Sequence, residues 1–495
     1  MANFLSDTFT DEDTSVSKLC NNCFKRLFDA CAAMAVMVSS VKLSTYPSTL
    51  KPWYNSCHGL SVMTLPSRRG PNRVGEPSHS AKISKDKACD RDTLVAVAAS
   101  LRIVGVYVVA QTSSTVLKTF SITFPFLSLL FQLLNIGLVV FGLVHSTFQG
   151  FLLSQLSQLL SSVCALICSV TLLCSGRRLN WIRIRSISLL ASLPDRGESC
   201  SFAVVSLIVV GWIYMCARFV ALCWVLNNQI PREAYKNVYG VEAAHSSSPR
   251  TLLLLVGLYW YLNNLFTNGT LVFVPIYYMA FCIVLSHSFN VHCRRLKSMQ
   301  RSLARLMVAD DLANIRAFYE RVCALALDVN RAFGRIVFAW YIKIVLSICV
   351  DFTQLFSDHE LLDSARQEET FLFSLRVVYS FLTFLGTCIA AAQVSENALR
   401  PLPILHTLTL RSSRLDMNTK MEAHFFLSRL SASPVVLTGW DFFVISRSFI
   451  LSVAAALTTY IVIMIQMNPK AMRTINRLVS TALNSTTNST SVPND

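Results

Sequence analysis

The outer half of the last long apolar stretch of the sequence contains the polar residues Thr459, Tyr460 and Gln466. Residues three or four positions apart share one face of a helix, so Thr459, Ile463 and Gln466 are predicted to line one surface. Hydroxyl and amide groups on such a surface can line a water-filled path and coordinate a partly hydrated cation. Hydrogen bonds to other helices, or placement at the membrane interface, are the alternative explanation for the same residues.

A second set of polar and aromatic residues lies near the ends of other apolar stretches. Polar groups inside a membrane are costly and often functional, and aromatic rings can stack on a ligand. The candidate ligand-binding residues are Asp351, Gln354, Arg376, Tyr379, Tyr277, Tyr278, Trp224 and Asn227. A structural ion pair between neighbouring helices is the alternative for Asp351 and Arg376, and interface anchoring is the alternative for the two Tyr residues. Lys343 and Arg218 also fall inside apolar stretches, and the sequence assigns them no specific role.

The elements that carry these residues are predicted to be transmembrane helices. Of 495 residues, 53% are apolar and only 15% are charged, and the mean hydropathy is +0.48. A helix needs about 20 largely apolar residues to cross a bilayer. Seven stretches meet this requirement: Phe120–Val144, Phe151–Cys174, Ser201–Asn227, Leu271–Phe289, Ala332–Phe356, Phe371–Gln393 and Phe442–Met467. The predicted fold class is therefore an all-α membrane protein with seven transmembrane helices.

Two further apolar stretches are predicted to lie at the interface rather than to span. Leu94–Val109 is short and carries Arg102, whereas Leu252–Phe266 is short and rich in Tyr, Trp and Asn. The full predicted organisation has a cytosolic, largely disordered segment (residues 1–92), an interfacial helix (93–119), a six-helix bundle with the ligand pocket (120–393), a cytoplasmic anchor (394–439), the last helix (440–467) and an extracellular tail (468–495). Within the bundle, residues 251–267 are predicted to form an extracellular lid helix, and 290–331 a cytoplasmic extension of the fourth helix.

Basic residues predict the orientation of the spans, because cytoplasmic segments carry the excess of Lys and Arg. Such residues cluster before the first span and between spans two and three, four and five, and six and seven; examples are Lys85, Arg183, Arg294 and Arg411. The segment between spans five and six, Ser357–Thr370, is acidic instead. Seven spans with a cytosolic N-terminus and an extracellular C-terminus fit all of these segments, whereas a spanning Leu252–Phe266 would place the basic segment after Asn290 outside.

Three glycosylation acceptors agree with this orientation. Asn268, Asn484 and Asn488 each begin an Asn-x-Ser/Thr tripeptide, which is glycosylated only on the lumenal side. All three are predicted to lie outside. The acidic start of the chain also predicts no cleavable signal peptide.

Several other classes of function are excluded by the sequence. The net charge of +16 is concentrated between spans, which indicates orientation rather than nucleic-acid binding. Sixteen scattered cysteines show no disulfide framework, and the Cys20–Cys23 pair lacks a second pair to complete a zinc site. The sequence contains no Gly-rich phosphate loop, metal-binding helix motif or nucleophile elbow. No enzyme activity, metal or cofactor is predicted.

Three segments of the C-terminal third resemble insect gustatory receptors. The string Thr459-Tyr460, five apolar residues and Gln466 resembles the C-terminal signature of that family, with Met467 in place of the family's Phe. The segment from Leu437 to Phe443 resembles the short stretch that leads into the family's last helix. Asn330-Arg-Ala-Phe333-Gly334 resembles the family's Asn-x-x-Phe-Gly motif before the fifth span.

This resemblance implies a ligand-gated, non-selective cation channel in the plasma membrane, opened by a small-molecule tastant. The family assembles as homo- or heterotetramers of related receptors, with each subunit's last helix at a central pore. Gln466 and Met467 would form the constriction, with Ile463, Tyr460 and Thr459 below it. A G-protein-coupled receptor or a secondary transporter is the alternative. The first has its N-terminus outside, and the second usually shows paired halves that this sequence lacks.

Overall fold

The computed structural model describes residues 94, 96–106, 115–145, 149–193, 198–228, 249–301, 309–357, 367–410, 416–432 and 434–467. The predicted disordered segment, residues 1–92, and the predicted tail, residues 468–495, lie outside this range. All of the helices named below belong to one compact unit.

The described chain is almost entirely helical. A short helical segment, residues 96–103, precedes the first long helix. The helices are α1 (Thr115–His145), α2 (Gln149–Cys174), α3 (Gly176–Ala191), α4 (Glu198–Asn228), α5 (Pro249–Leu262), α6 (Gly269–Arg301), α7 (Ala309–Ser357), α8 (Gln367–Leu399), α9 (Pro401–Leu410), α10 (Met417–Ala432) and α11 (Arg447–Met467). A π-helix, Asn263–Asn268, joins α5 to α6, and two short strands, β1 (Thr438–Gly439) and β2 (Phe443–Val444), pair before α11.

Seven helical segments of the described chain are long and apolar enough to cross a membrane, which confirms the predicted fold class. These segments are Thr123–Val144, Gln155–Cys174, Phe202–Cys223, Leu255–Gln300, Ala309–Thr353, Phe373–Leu410 and Arg447–Met464. Each overlaps one of the seven predicted spans. Hydropathy alone locates them because a lipid-embedded helix must satisfy its backbone internally and present apolar side chains outward.

Helix α6 lies at the centre of the bundle. In its most apolar window 94% of the residues are buried, and it packs against α2, α4, α7 and α8. Its largest side chains, including Phe273, Tyr277, Phe281 and Phe289, are fully buried. Lipid is as apolar as a side chain, so van der Waals packing of these rings holds the helices together. The surrounding helices α1 and α4 expose large apolar side chains such as Leu130 and Phe202, as expected of faces in contact with lipid.

The predicted lid helix is continuous with the fourth span. Residues 251–267 fall in α5 and the π-helix, which run without a break into α6. Gly269 is helical and caps the π-helix, donating its backbone N–H to the Asn264 carbonyl oxygen. The separate helix was predicted because the stretch is short, is rich in Tyr, Trp and Asn, and would place the basic segment after Asn290 outside if it spanned. In the structure Asn264 is buried, and Asn263 bonds to Asn135 of α1, so protein surrounds these amides. The side of the membrane on which α5 lies stays a prediction.

The cytoplasmic extension predicted for residues 290–331 is divided between two helices. It contains the end of α6, up to Arg301, and the first part of α7, from Ala309. An aromatic cluster joins them: His292 stacks on Phe318 at a centroid distance of 5.3 Å, and Phe289 contacts Tyr319 at 5.5 Å. The predicted anchor, residues 394–439, contains the end of α8, α9, α10 and β1. Phe426 of α10 packs on Tyr319 at 5.3 Å, so the anchor and the extension form one packed region.

The basic segment between the second and third spans forms helix α3. Leu179, Ile182 and Leu190 are buried on one side of it. On the other side, Arg178 and Arg185 approach Asp328 of α7 at 3.6 and 3.5 Å. The apolar residues of this segment have the spacing of a helix. Its basic residues were used only to predict the orientation of the spans.

The last helix begins seven residues later than predicted. Residues 440–467 were predicted to be helical, but α11 starts at Arg447. Trp440 and Asp441 have positive φ angles of 47° and 60°, values that cannot continue an α-helix. The Ile445 backbone N–H donates to the Leu437 carbonyl oxygen across this turn at 2.9 Å, so the chain reverses direction before the helix starts.

Residues 96–106, predicted to lie at the interface, are packed inside the bundle. Leu101, Val104 and Val106 are fully buried, and Ser100 accepts a hydrogen bond from the Trp212 indole at 3.2 Å. Burial, together with the charge of Arg183, lowers the pKa of Arg102. At the end of the segment, Gly105 has a φ angle of +80° and lies against Ser128 of α1.

Substitution of Gly105 by Ala is expected to lower the stability of the protein by about 2–4 kcal/mol. A Cβ at this position would lie 2.5 Å from the Ser128 Cβ, and the positive φ disfavours any side chain. Gly137 of α1 is the matched control, because it is exposed and a Cβ there would meet no atom within 4 Å. Gly137→Ala should leave stability unchanged or raise it by about 1 kcal/mol. Thermal unfolding of the detergent-purified variants measures both, and equal melting temperatures would contradict the close contact.

Candidate functional site

A polar cavity of about 130 Å³ lies between α2, α4, the π-helix, α6, α7 and α8. Five helical segments contribute polar side chains to its walls, which include Gln158, Arg218, Asn263, Lys343 and Arg376. The remaining walls combine hydroxyl-bearing and aromatic side chains with Asn268 and the aliphatic Leu271, Val272 and Ile344. Small-molecule sites in helical bundles are typically formed in this way, by converging polar groups between helices.

Three of the residues that line the cavity are positively charged. Arg218, Lys343 and Arg376 line it, and each falls within a segment that could cross the membrane. Arg376 forms an ion pair with Asp351, whose side chain is only 2% exposed. Arg218 donates a hydrogen bond to the Tyr214 hydroxyl at 3.3 Å. Lys343 forms neither a hydrogen bond nor an ion pair within the described part of the chain.

Two tyrosines form an aromatic wall of the cavity. The rings of Tyr214 and Tyr379 stack at a centroid distance of 3.6 Å and an interplanar angle of 13°. Both residues line the cavity, as does the buried Trp340. The pair joins α4 to α8 beside Arg218 and Arg376, so movement of either helix would alter the position of both guanidinium groups.

A hydrogen-bond network fixes the π-helix next to the cavity. The Asn135 amide donates to Ser162 at 2.6 Å and to Asn263 at 3.2 Å. Gln158 donates to the hydroxyl of Tyr259, which itself donates to Asn135 at 2.5 Å. Buried polar groups in a membrane protein require such partners, because lipid offers none. A π-helix has less regular hydrogen bonding than an α-helix and often occurs at functional sites.

The structure brings only part of the predicted ligand-binding set together. Arg376 and Tyr379 line the cavity, and Asp351 lies behind Arg376 as its ion-pair partner. Tyr277 and Tyr278 are buried in the aromatic core, where their rings lie 5.7 and 5.6 Å from the Phe333 ring. Neither Tyr277 nor Tyr278 is among the residues that line the cavity.

Three other predicted residues lie within helices. Gln354 is in α7, and Trp224 and Asn227 are in α4. Their side chains are outside the described part of the structure, so their role stays a prediction.

The sequence analysis gave no role to Lys343 and Arg218, and it did not single out Trp340, Asn263 or Gln158. An available signal was the charge itself, because a basic residue inside an apolar span faces protein or water rather than lipid. The rotation of each helix decides which charges converge, and it is not visible in a single sequence.

Helix α11 carries the predicted gate residues and is the least buried of the seven segments, with 6% of its window buried. Thr459, Ile463 and Gln466 are exposed on the same face, as the spacing predicted. Tyr460 instead lies on the side of α11 that faces α7, and its hydroxyl is hydrogen-bonded to the Thr353 hydroxyl at 2.7 Å. The side chain of Met467 is outside the described part. The role of these residues in a gate stays a prediction.

The two upstream motifs meet in space. The Asn330 side chain donates to the Thr438 hydroxyl at 2.9 Å and accepts the Thr438 backbone N–H at 2.8 Å. A Cβ on Gly334 would lie in van der Waals contact with the Trp440 backbone nitrogen, at 3.4 Å, so α7 and the turn pack closely here. These residues therefore fix the turn that leads into α11 against α7.

The three glycosylation acceptors differ in their surroundings. Asn268 belongs to the π-helix, lines the cavity and donates to the Asn263 carbonyl oxygen at 3.4 Å. Asn484 and Asn488 lie outside the described residues. Modification of all three stays a prediction, and within the described residues no group of His, Cys, Asp or Glu could hold a metal ion.

Comparisons with known proteins agree with the architecture. The fold is similar to that of the insect olfactory receptor OR5 from Machilis hrabei, with a TM-score of 0.62 and 16% identity over 77% of this chain and 100% of that one. It is also similar to the same receptor in complex with eugenol, with a TM-score of 0.57, 14% identity and the same coverage. Among curated proteins, no sequence matches this chain.

A family model described as 7tm chemosensory receptor matches residues 238–470. The matched region contains the Asn330–Gly334 motif, the turn at Trp440 and the whole of α11. It also contains the predicted gate residues of the C-terminal signature. Residues 238–470 are therefore similar to the 7tm chemosensory receptors, and the seven-helix fold is similar to that of an insect olfactory receptor.

Proposed function

We propose that this chain is a gustatory chemoreceptor, a ligand-gated non-selective cation channel of the plasma membrane that a small-molecule tastant opens. Four copies, or copies of related receptors, surround a pore lined by α11. The constriction lies at Gln466 and Met467, with Ile463, Tyr460 and Thr459 below it. The tastant binds in the cavity beside Arg376 and Tyr379. The residues before α1 lie in the cytosol and those after α11 lie outside.

The exposed face of α11 carries this proposal. The lipid-facing sides of α1 and α4 expose large apolar residues such as Phe126, Leu134 and Ile213. Helix α11 also exposes Leu451 and Ile463, but one stripe of it carries mainly small and polar residues: Ser448, Ser452, Ala455, Thr459 and Gln466. Such a stripe packs poorly against lipid chains, but it suits water and close approach of a neighbouring helix.

The end of α7 connects the cavity to α11. Asp351 binds Arg376, which lines the cavity, and Thr353, two residues further on, bonds Tyr460 of α11. The Tyr460 hydroxyl also donates to the Cys349 carbonyl oxygen at 3.3 Å. A ligand that shifts Arg376 would act on the same helical turn that holds α11. This contiguity supports gating by the cavity, since coupling needs an element that both sites can displace.

The distribution of charge supports the proposed orientation. The basic helix α3 pairs Arg178 and Arg185 with Asp328 of α7, on the side assigned to the cytoplasm. The acidic segment between α7 and α8 is assigned to the outside, as the positive-inside rule requires. In this arrangement Asn484 and Asn488 are accessible to glycosylation in the tail.

Substitution of Gln466 by Ala is expected to change ion permeability or gating while surface expression stays near normal. The Gln466 side chain is exposed in the subunit, so its loss removes no internal packing. Gln393→Ala, at an exposed glutamine of α8, is the matched control and should leave the current unchanged. The measurement is whole-cell current in cells that express the chain, during perfusion with sugars and bitter compounds.

Each outcome of this experiment separates the candidate classes. A ligand-evoked cation current that Gln466→Ala alters supports a channel. A second-messenger response without current would favour a G-protein-coupled receptor, and accumulation of the compound in the cell would favour a transporter. Loss of folding in Gln466→Ala would show that the residue serves interhelical bonding instead.

A further inference from the structure

We propose that the cavity selects small organic acids in their anionic, carboxylate form. This inference rests on the proposed function only in taking the cavity as the ligand site. The proposal concerns the charge of the ligand and not the current that follows. It is carried by three cationic side chains at the cavity and a single buried carboxylate.

The charges converge from three helices. Helix α4 contributes Arg218, α7 contributes Lys343, and α8 contributes Arg376. The cavity-lining residues of α2, α6 and the π-helix are uncharged: Ser157, Gln158, Ser161, Asn263, Thr267, Asn268, Leu271 and Val272. Within the described part of the chain, Asp351 is the one carboxylate that binds any of the three cations. Two positive charges are therefore left without a bonded counter-ion.

Lys343 is the residue that most requires a ligand. Its ammonium group carries three donors, yet it has no hydrogen-bond or ion-pair partner among the described residues. Asp351 carries one negative charge and bonds Arg376, so it cannot neutralise Lys343 as well, although the two interact electrostatically. Among the described residues, Arg218 bonds the neutral hydroxyl of Tyr214 and no carboxylate, and its Nε has no partner there. A cation inside a membrane protein is stabilised by a paired anion, and none is bonded to these two.

A carboxylate satisfies this arrangement. Its two oxygens accept several hydrogen bonds, and both ammonium and guanidinium groups bind it strongly. The remainder of the cavity offers Trp340 and the stacked Tyr379 for an apolar or aromatic body, and Ser380 and Thr383 for further hydrogen bonds. A cationic group on the ligand would be repelled by Arg218, Lys343 and Arg376, so a carboxylate without an ammonium group fits best.

The test measures binding directly, without a channel current. The full chain, purified in detergent, is titrated with benzoate, hexanoate and lactate, each beside its neutral amide, and its melting temperature is recorded. At least one of the carboxylates is expected to raise the melting temperature and to bind at least about tenfold more tightly than its amide. Lys343→Met should remove this preference, whereas Lys343→Arg should retain it.

Two further measurements test whether the variants fold and whether a surface charge has the same effect. Lys343→Met removes an unpaired internal charge, so its ligand-free melting temperature should equal or exceed that of the parent chain. Lys297→Met, at an exposed position of α6, should leave the carboxylate preference intact. Binding of the amides as tightly as the carboxylates, failure of all three carboxylates to bind at millimolar concentration, or an unchanged preference in Lys343→Met would overturn the proposal. Carboxylate binding without a current would count against the channel alone.

Discussion

Replacement of Arg376 by Met is expected to destabilise the protein by about 3 kcal/mol and to abolish its surface expression. The substitution leaves the carboxylate of Asp351, whose side chain is 2% exposed, without the partner that binds it. A buried charge whose partner is removed typically costs about 3–5 kcal/mol, and the lower figure applies because Arg376 is itself 30% exposed. Lys343 lies close enough to interact with Asp351 electrostatically, which offsets a further part of the loss.

The double variant Asp351→Leu/Arg376→Met separates the ion pair from the packing around it. Removal of both charges leaves no buried carboxylate, so the double variant should recover most of the lost stability and reach the cell surface. It should still fail to respond to ligand, because Arg376 lines the cavity. Surface labelling and thermal unfolding of both variants provide the readouts. A double variant as unstable as Arg376→Met would show that the side chains matter for their shape rather than their charge.

The seven spans could be predicted because the signal for a membrane helix is local. About 20 apolar residues suffice, whatever the neighbours are. The ends of the helices depend on contacts distant in sequence, and here the prediction was less accurate. The start of α11 is set by the turn at Trp440 and Asp441, which Asn330 of α7 holds through Thr438. The break predicted between α5 and α6 is absent because the Asn135 amide of α1 donates a hydrogen bond to Asn263, so protein surrounds this polar residue.

The cavity was only partly predictable for a related reason. Asp351 and Arg376 stood out since a charge inside a span has a cost, and the ion pair given as their alternative role is present. The same cost applied to Lys343 and Arg218, but their convergence depends on the rotation of α4 and α7. Tyr277 and Tyr278 show the converse. Their aromatic rings were predicted to stack on a ligand, whereas the structure uses these rings as packing around Phe333.

Attachment of a positively charged, water-soluble thiol reagent to Thr459→Cys is expected to reduce the ligand-evoked current by more than about half. Thr459 is exposed on the stripe of α11 that is proposed to line the pore, and its hydroxyl bonds only the Ala455 carbonyl oxygen of its own helix, at 2.9 Å. The substitution itself should therefore be tolerated. The attached group adds both volume and a positive charge to a narrow path for cations, and each opposes permeation.

Val453→Cys is the matched control, because Val453 lies on the buried side of α11 and is only 5% exposed. The reagent should leave its current unchanged, as it should leave that of the parent chain, whose own exposed cysteines include Cys216 and Cys223. Block of Thr459→Cys alone requires water along the small and polar stripe of α11. Equal reaction of both variants would contradict the distinction between the stripe and the buried side of α11, and reaction of neither would place the stripe against lipid or protein. The hydroxyls of Ser452 and Thr459 would then serve only their own helix, through the bonds they make to Ser448 and Ala455.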